Sequence, residues 1–129
     1  MKKNIHIIVN QKAYLDEDLV SAVNMIRKQG HRVQVNAVWE PLDITRLTRE
    51  AIEKEAHIIV AAGGDGTINS VVNEFIIQEP QNCAVSTLPY GTANDFAFTN
   101  GFEIGNPQSV LQMIVETSPV LIDVVRCND

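Results

Sequence analysis

Basic residues are scarce in this chain. Lysine and arginine number 10 against 16 aspartates and glutamates, for a net charge of −6. That deficit argues against nucleic acid as the main partner, because phosphate backbones are bound by clustered cations. It also argues against strong electrostatic docking on anionic lipid. It leaves room for a nucleotide, which backbone dipoles, one or two local cations and a bound metal can hold. Cysteine is nearly absent: Cys83 and Cys127 are far apart and form no metal-binding spacing, so the expectation is two free thiols in a reducing compartment. No apolar run approaches the roughly 20 residues that span a bilayer. The apolar stretch after Met1-Lys2-Lys3-Asn4 ends at Asn10 and reads as a first strand, not a signal peptide. The expected location is the cytoplasm, with any contact at the inner face of the membrane peripheral. Repeats, low-complexity segments, linkers and any Ser/His/Asp or Cys/His arrangement are also missing.

What is present is an alternation of apolar runs and amphipathic patterns over 129 residues, enough for one domain with a real core. Ile5–Val9, Val33–Val38, Ile58–Ala62, Ala84–Leu88 and Val120–Val125 read as strands. Leu15, Leu19, Val23 and Ile26 recur at helical spacing, with Gly30 as the stop. Asp43 is placed to cap a helix carrying Ile44, Leu47, Ala51 and Ile52. A third helix is expected over Ile68–Ile77. Asn106-Pro107 is an N-cap and first-turn proline opening a helix with Val110, Leu111, Ile114 and Val115. Strands alternating with helices imply an α/β fold, a mostly parallel sheet covered on both faces. Ligands in such folds bind at the carboxyl ends of strands.

Three polar features fall at those ends: Asn10, the turn Gly63-Gly64-Asp65-Gly66-Thr67-Ile68-Asn69, and the turn Gly91-Thr92-Ala93-Asn94-Asp95. Glycines 63, 64 and 66 permit positive φ and close approach of a ligand to the backbone, and a strand, glycine turn and helix in that order can hold a phosphate. Thr67 can cap the helix or bond a phosphate oxygen. Asp65 would orient the turn, contact a ribose hydroxyl or meet Mg²⁺ through water. The plainer alternative for each turn is a tight strand–helix connection, with Asn94 and Asp95 capping a short helix near Phe96. No lysine follows the glycines as in a Walker A loop, and the G-x-G-x-x-G spacing is absent. His6, His31 and His57 lie near strand starts, away from the turns, and are expected in structural or surface roles. Asp16, Glu17 and Asp18 suit a helix start. Trp39 either lines a pocket or packs.

These segments resemble the diacylglycerol kinase catalytic-domain family, and most closely its bacterial YegS-like branch. The likeness rests on Gly63–Asn69, on Leu88-Pro89 with Gly91–Ala97, on Ile122-Asp123 and on Trp39-Glu40. It implies a three-layer Rossmann-like domain, as in the NAD kinase/diacylglycerol kinase superfamily. It further implies that residues 1–129 are the N-terminal ATP-binding domain of a lipid kinase using ATP and Mg²⁺. A β-rich C-terminal domain absent from this chain would supply the base, most metal ligands and the lipid contact. The acceptor would be diacylglycerol-like or phosphatidylglycerol-like, and the isolated chain inactive. Gly64, Asp65, Gly66, Thr67, Ile68 and Asn69 would contact or shape the phosphate site and Thr92 the nucleotide. The chain departs from the family at four places. Ser70 replaces a usual Glu, Val38 a nucleotide-contacting Thr, and Glu74 a usual Gly for which the sequence offers no reason. Only Asn10 survives of an Asn-Pro-x-Ser-Gly turn, with Lys12 nearby as a local cation. Two alternatives remain: a stand-alone nucleotide-binding or regulatory module, and an NAD kinase-like phosphotransferase, since NAD kinases share the GGDGT turn.

Overall fold

Strands and helices alternate along the chain in a computed structural model that describes residues 2–90 and 106–117. The order is β1 (Asn4–Val9), α1 (Gln11–Tyr14), α2 (Glu17–Lys28), β2 (Arg32–Ala37), α3 (Leu42–Glu53), β3 (Ile58–Gly63), α4 (Asp65–Gln78), β4 (Ala84–Pro89) and α5 (Pro107–Glu116). The four strands form one sheet in the order β2-β1-β3-β4, with every neighbouring pair parallel. Each parallel step needs a crossover, and the helices supply it.

The period-two alternation of β1 and β3 divides the core into two halves. Ile5, Ile7 and Val9 with Ile58, Val60 and Ala62 pack against Leu19, Ala22, Val23 and Ile26 of α2 and Val110, Leu111, Ile114 and Val115 of α5. Ile8, Ile59 and Ala61 face the other way, onto Ile44, Leu47 and Ala51 of α3 and Ile68 and Val71 of α4. The expected three layers are therefore present. Gly30 ends α2 with φ +99°, and the Asn106 side chain caps α5 by accepting from the Ser109 N–H at 3.1 Å, with Pro107 in the first turn.

Several local expectations need correction. Leu15 belongs to no core: it lies between α1 and α2 and is 69% exposed. The segment after Asn10 is a short helix that Asn10 caps, accepting from the Ala13 N–H at 2.8 Å. Asp43 is not the cap of α3 but sits in its first turn and reaches back to accept from the N–H groups of Trp39 and Glu40 at 2.9 and 3.0 Å. Those two donors lie just ahead of the helix, so one carboxylate satisfies the entry to α3. The third helix starts at Asp65, three residues before Ile68. The strand over Val120–Val125, the helix near Phe96 and Cys127 lie outside the described residues.

Glu74, unreadable in sequence, has a place in the fold. Its side chain is buried on α4, where the Arg49 Nε of α3 donates to Oε2 at 3.2 Å and the Gln78 amide at 2.6 Å. A residue that reaches across to α3 does a job a glycine cannot.

Candidate functional site

The carboxyl ends of β1, β3 and β4 are tied into one unit. The Asn10 N–H donates to the Ala62 carbonyl at 3.0 Å, and the Tyr90 N–H donates to the Gly63 carbonyl at 2.8 Å. The Asn10 amide nitrogen donates to the Tyr90 carbonyl at 3.4 Å. With its oxygen capping α1, both ends of the Asn10 side chain are engaged within the protein. Tyr90 extends the tie to α2: its hydroxyl donates to Asp16 Oδ2 at 2.5 Å, while Asp16 Oδ1 accepts from the Asp18 N–H at 3.0 Å. Burial, then the bond to Asp16, pushes the Tyr90 phenol well above its usual value, so it stays a donor. Sequence reasoning gave Asp16 a helix-start role and missed Tyr90 altogether. The bond joins positions 74 apart, and no local pattern announces it.

Gly63 to Thr67 run from the last residue of β3 into the first turn of α4. Gly64 occupies the N-cap position with φ −97°, and among the described residues no side chain caps this helix. The first N–H groups of an α-helix have no partners within it, so this end offers donors and a positive dipole. Asp65 is the acid of the first turn. The glycines of this turn do not serve through positive φ. Among the described glycines only Gly30 has a positive φ, so the turn needs none of them for backbone conformation. Gly63 is required because a Cβ there would lie 2.4 Å from Thr67 Oγ1 and 2.8 Å from Thr67 Cβ. Thr67 folds back over the strand end. Gly66 is the opposite case: a Cβ there meets nothing within 4 Å, and the residue is exposed. Nothing among the described residues demands a glycine at 66, and the open space lies beside the helix N-terminus. Ile68 points into the core, 3% exposed, and its N–H donates to the Gly64 carbonyl at 3.1 Å. Asn69 is exposed and Ser70 half-buried. Gly91, Thr92, Asn94 and Asp95 lie outside the described residues.

Beside Asn10 a cleft of about 380 Å³ opens, lined by Asn10, Gln11, Tyr14, Leu15, Val38 and Trp39 among others. That size suits a small-molecule pocket. Trp39 does not pack: it is 92% exposed, and its indole forms part of the cleft rim. Val38 is partly buried against the α3–α4 core. Lys12 is exposed on α1. Among the described residues no three His, Cys, Asp or Glu side chains converge as metal ligands, and no helix is long and apolar enough to cross a membrane. Cys83 is partly buried, and burial pushes its thiol up to about 11.

The model of the diacylglycerol kinase catalytic domain matches residues 4–127. The chain is 37% identical over 124 residues to the YegS-like probable lipid kinase of Cronobacter sakazakii, covering 95% of this chain and 41% of that protein. A second YegS-like probable lipid kinase, from Shewanella frigidimarina, is 36% identical over 130 residues, with coverages of 98% and 41%. The chain thus spans about two fifths of the length of these relatives. Its fold is similar to that of a diacylglycerol kinase from Bacillus anthracis, with TM-score 0.73, 21% identity, and 89% of this chain and 42% of that one covered. A split-gene transketolase shares the architecture at TM-score 0.59 and 13% identity, covering 87% and 38%. The layered sheet alone therefore does not specify an activity.

Proposed function

The chain belongs to the diacylglycerol kinase catalytic domain family, and from that premise we propose that it is the nucleotide-binding part of a lipid kinase. The whole protein would use ATP with Mg²⁺ and transfer the γ-phosphoryl group to a hydroxyl of a diacylglycerol-like or phosphatidylglycerol-like acceptor. The observation that carries the reading is Gly66, whose missing side chain leaves open space beside the uncapped N-terminus of α4. A phosphate there would be met by backbone donors and the helix dipole. Gly64, Asp65, Gly66, Thr67 and Asn69 would shape its site. Ile68, with its side chain in the core and its N–H on the Gly64 carbonyl, would hold the turn in shape and not meet the phosphate itself. Gly91, Thr92, Asn94 and Asp95 would close it from the second turn. The cleft between Asn10 and Trp39 would take the rest of the nucleotide. Mg²⁺, when bound, would neutralise charge on the transferring phosphoryl group. Asp65, the acid of the first turn, would orient its water shell, and further ligands and the general base would come from a β-rich second domain.

The test is calorimetric titration of the full 129-residue chain with MgATP, beside Gly66→Val. The valine should weaken binding by more than about tenfold while leaving the melting temperature within a few degrees. Equal affinity for both would remove the nucleotide from this turn. The chain alone should not phosphorylate diacylglycerol or phosphatidylglycerol, and robust turnover would overturn the assignment of the base to another domain. A non-catalytic nucleotide module is the second reading. Val38 favours it, placing methyl groups on the cleft wall where the family's hydroxyl would bond the nucleotide.

A further inference from the structure

At the opposite edge of the sheet, where the strands begin, a second cavity of about 300 Å³ is lined by Asn4, His6, Arg32, Val33, Gln34 and Lys54. Sheet register explains the composition. Asn4 pairs with Arg32 and His6 with Gln34 across β1 and β2, so four polar side chains share the face that carries α3. β2 is the edge strand, and two of its residues on this face, Arg32 and Gln34, are exposed. Lys54 follows the C-terminus of α3 and closes the rim. In a chain of net charge −6 this rim is cationic. Among the described residues neither Arg32 nor Lys54 takes part in an ion pair. Glu53 and Glu55 flank Lys54 in sequence, yet neither lines the cavity.

His6 is the informative member. It is 3% exposed, and buried polar groups are normally hydrogen-bonded. The neighbouring histidines obey: His31 Nδ1 accepts from the Lys3 N–H at 3.1 Å and His57 Nδ1 from the Asn4 N–H at 2.7 Å. Among the described residues the His6 ring makes no such bond, and no fully buried side-chain nitrogen or oxygen is left without a partner. Its nitrogens are therefore neither bonded nor sealed off, and the cavity it lines is where they open. Gln34 spends one of its two amide hydrogens on Asn36, at 3.3 Å. Among the described residues the cavity thus gathers two cations outside any ion pair, an imidazole without a hydrogen bond and the second amide hydrogen of Gln34, while the Asn4 amide is spent on the Lys54 and Glu55 carbonyls at 3.1 and 3.3 Å.

We propose that this cavity binds a phosphate-type anion, either free phosphate or a phospholipid headgroup, held by Arg32 and Lys54 with His6 at its floor. Charge-assisted hydrogen bonds from Arg and Lys to phosphate are the strong kind, and the guanidinium fork matches two phosphate oxygens. The site is independent of the glycine turn. Burial, with the Lys54 charge, holds His6 below its ordinary value, so the empty site keeps the ring neutral, and an arriving anion offsets the Lys54 charge.

The full chain should be titrated with inorganic phosphate at constant ionic strength, following the His6 ring nitrogens by NMR, with chloride as the control. The expected result is a saturable shift that Arg32→Gln with Lys54→Gln weakens by at least about tenfold. Both residues are exposed, so the double variant should keep its fold, checked by its melting temperature. Sedimentation with phosphatidylglycerol and phosphatidylcholine vesicles separates the sources. Pelleting with phosphatidylglycerol alone, lost in the double variant, assigns a headgroup, and a saturable phosphate shift without pelleting assigns free phosphate. No saturable shift and no pelleting, an equal response to chloride, or an undiminished response in the double variant overturns the proposal.

Discussion

Gly63 and Gly66 stand three positions apart in one turn and answer to different constraints. The Gly63→Ala methyl would collide with Thr67 at 2.4 and 2.8 Å. Thr67 cannot give way without moving the first turn of α4, so a loss of about 1–3 kcal/mol is expected from overpacking, read by denaturant melts. Gly66→Ala meets no neighbour and lies within a helix, so stability should hold or rise by up to about 1 kcal/mol, and only ligand affinity should suffer. If both alanines destabilise equally, the division of labour between the glycines is wrong. The turn itself was legible in the sequence because glycine clusters after an apolar run are rare in element interiors. The reason for each glycine was not. Positive φ, the usual explanation, applies to neither. What decides Gly63 is the direction of the Thr67 side chain, which composition does not carry. Asn10 was legible as a polar strand end, but the pairing of its amide with Tyr90, 80 positions away, was not.

Elements were easier to read than their joints. The strands and the main helices follow from apolar periodicity, and β1 and β3 are unmistakable because both faces are buried. Errors fell where a short polar connection decides the geometry: α1 begins at a cap rather than at apolar spacing, and α4 begins inside the glycine turn, at Asp65. Two long-range ties hold elements together and give predictions of their own. Glu74→Ala strips α4 of its bonds to Arg49 and Gln78. Arg49 is half exposed and regains water, so the expected loss is about 1–2 kcal/mol, with a small coupling to Arg49→Ala in a double-mutant cycle. Zero loss would mean that the buried carboxylate contributes nothing beyond filling space. Tyr90→Phe removes the bond from β4 to the start of α2 while keeping the ring. A loss of about 1–2 kcal/mol is expected, because the acceptor is a carboxylate. Asp16→Asn should reproduce part of it, since an amide oxygen can still accept from Tyr90. An intact melting temperature in Tyr90→Phe would remove the phenol from the tie.

At the scale of the whole molecule the sheet separates two chemistries. Its carboxyl edge carries the glycine turn and the Trp39 cleft, and its amino edge carries the histidines and the Arg32–Lys54 cavity. This polarity follows from parallel strands, which collect every strand start at one end. It makes the amino edge sensitive to pH. Burial, then the charge of Lys54, holds His6 below its ordinary value of 6.5. Burial, then the charges of Lys2 and Lys3, does the same to His31. With folded values lowered, the unfolded chain takes up protons that the folded chain refuses. Stability from these groups is complete above 6.5 and declines as pH falls below it. Asp43 acts only later. The N–H groups of Glu40 and Trp39 lower it from 3.8, so its contribution is full above that value and lost at still lower pH. Melting curves from about pH 8 to about pH 5 should therefore be flat at first and fall below roughly 6.5, before the carboxylates titrate. His6→Gln cannot accept a proton and should flatten part of that fall. A wild-type curve level down to about pH 5 would show that His6 and His31 charge as freely in the folded chain as in the unfolded one, and the amino edge would then be an ordinary solvated surface.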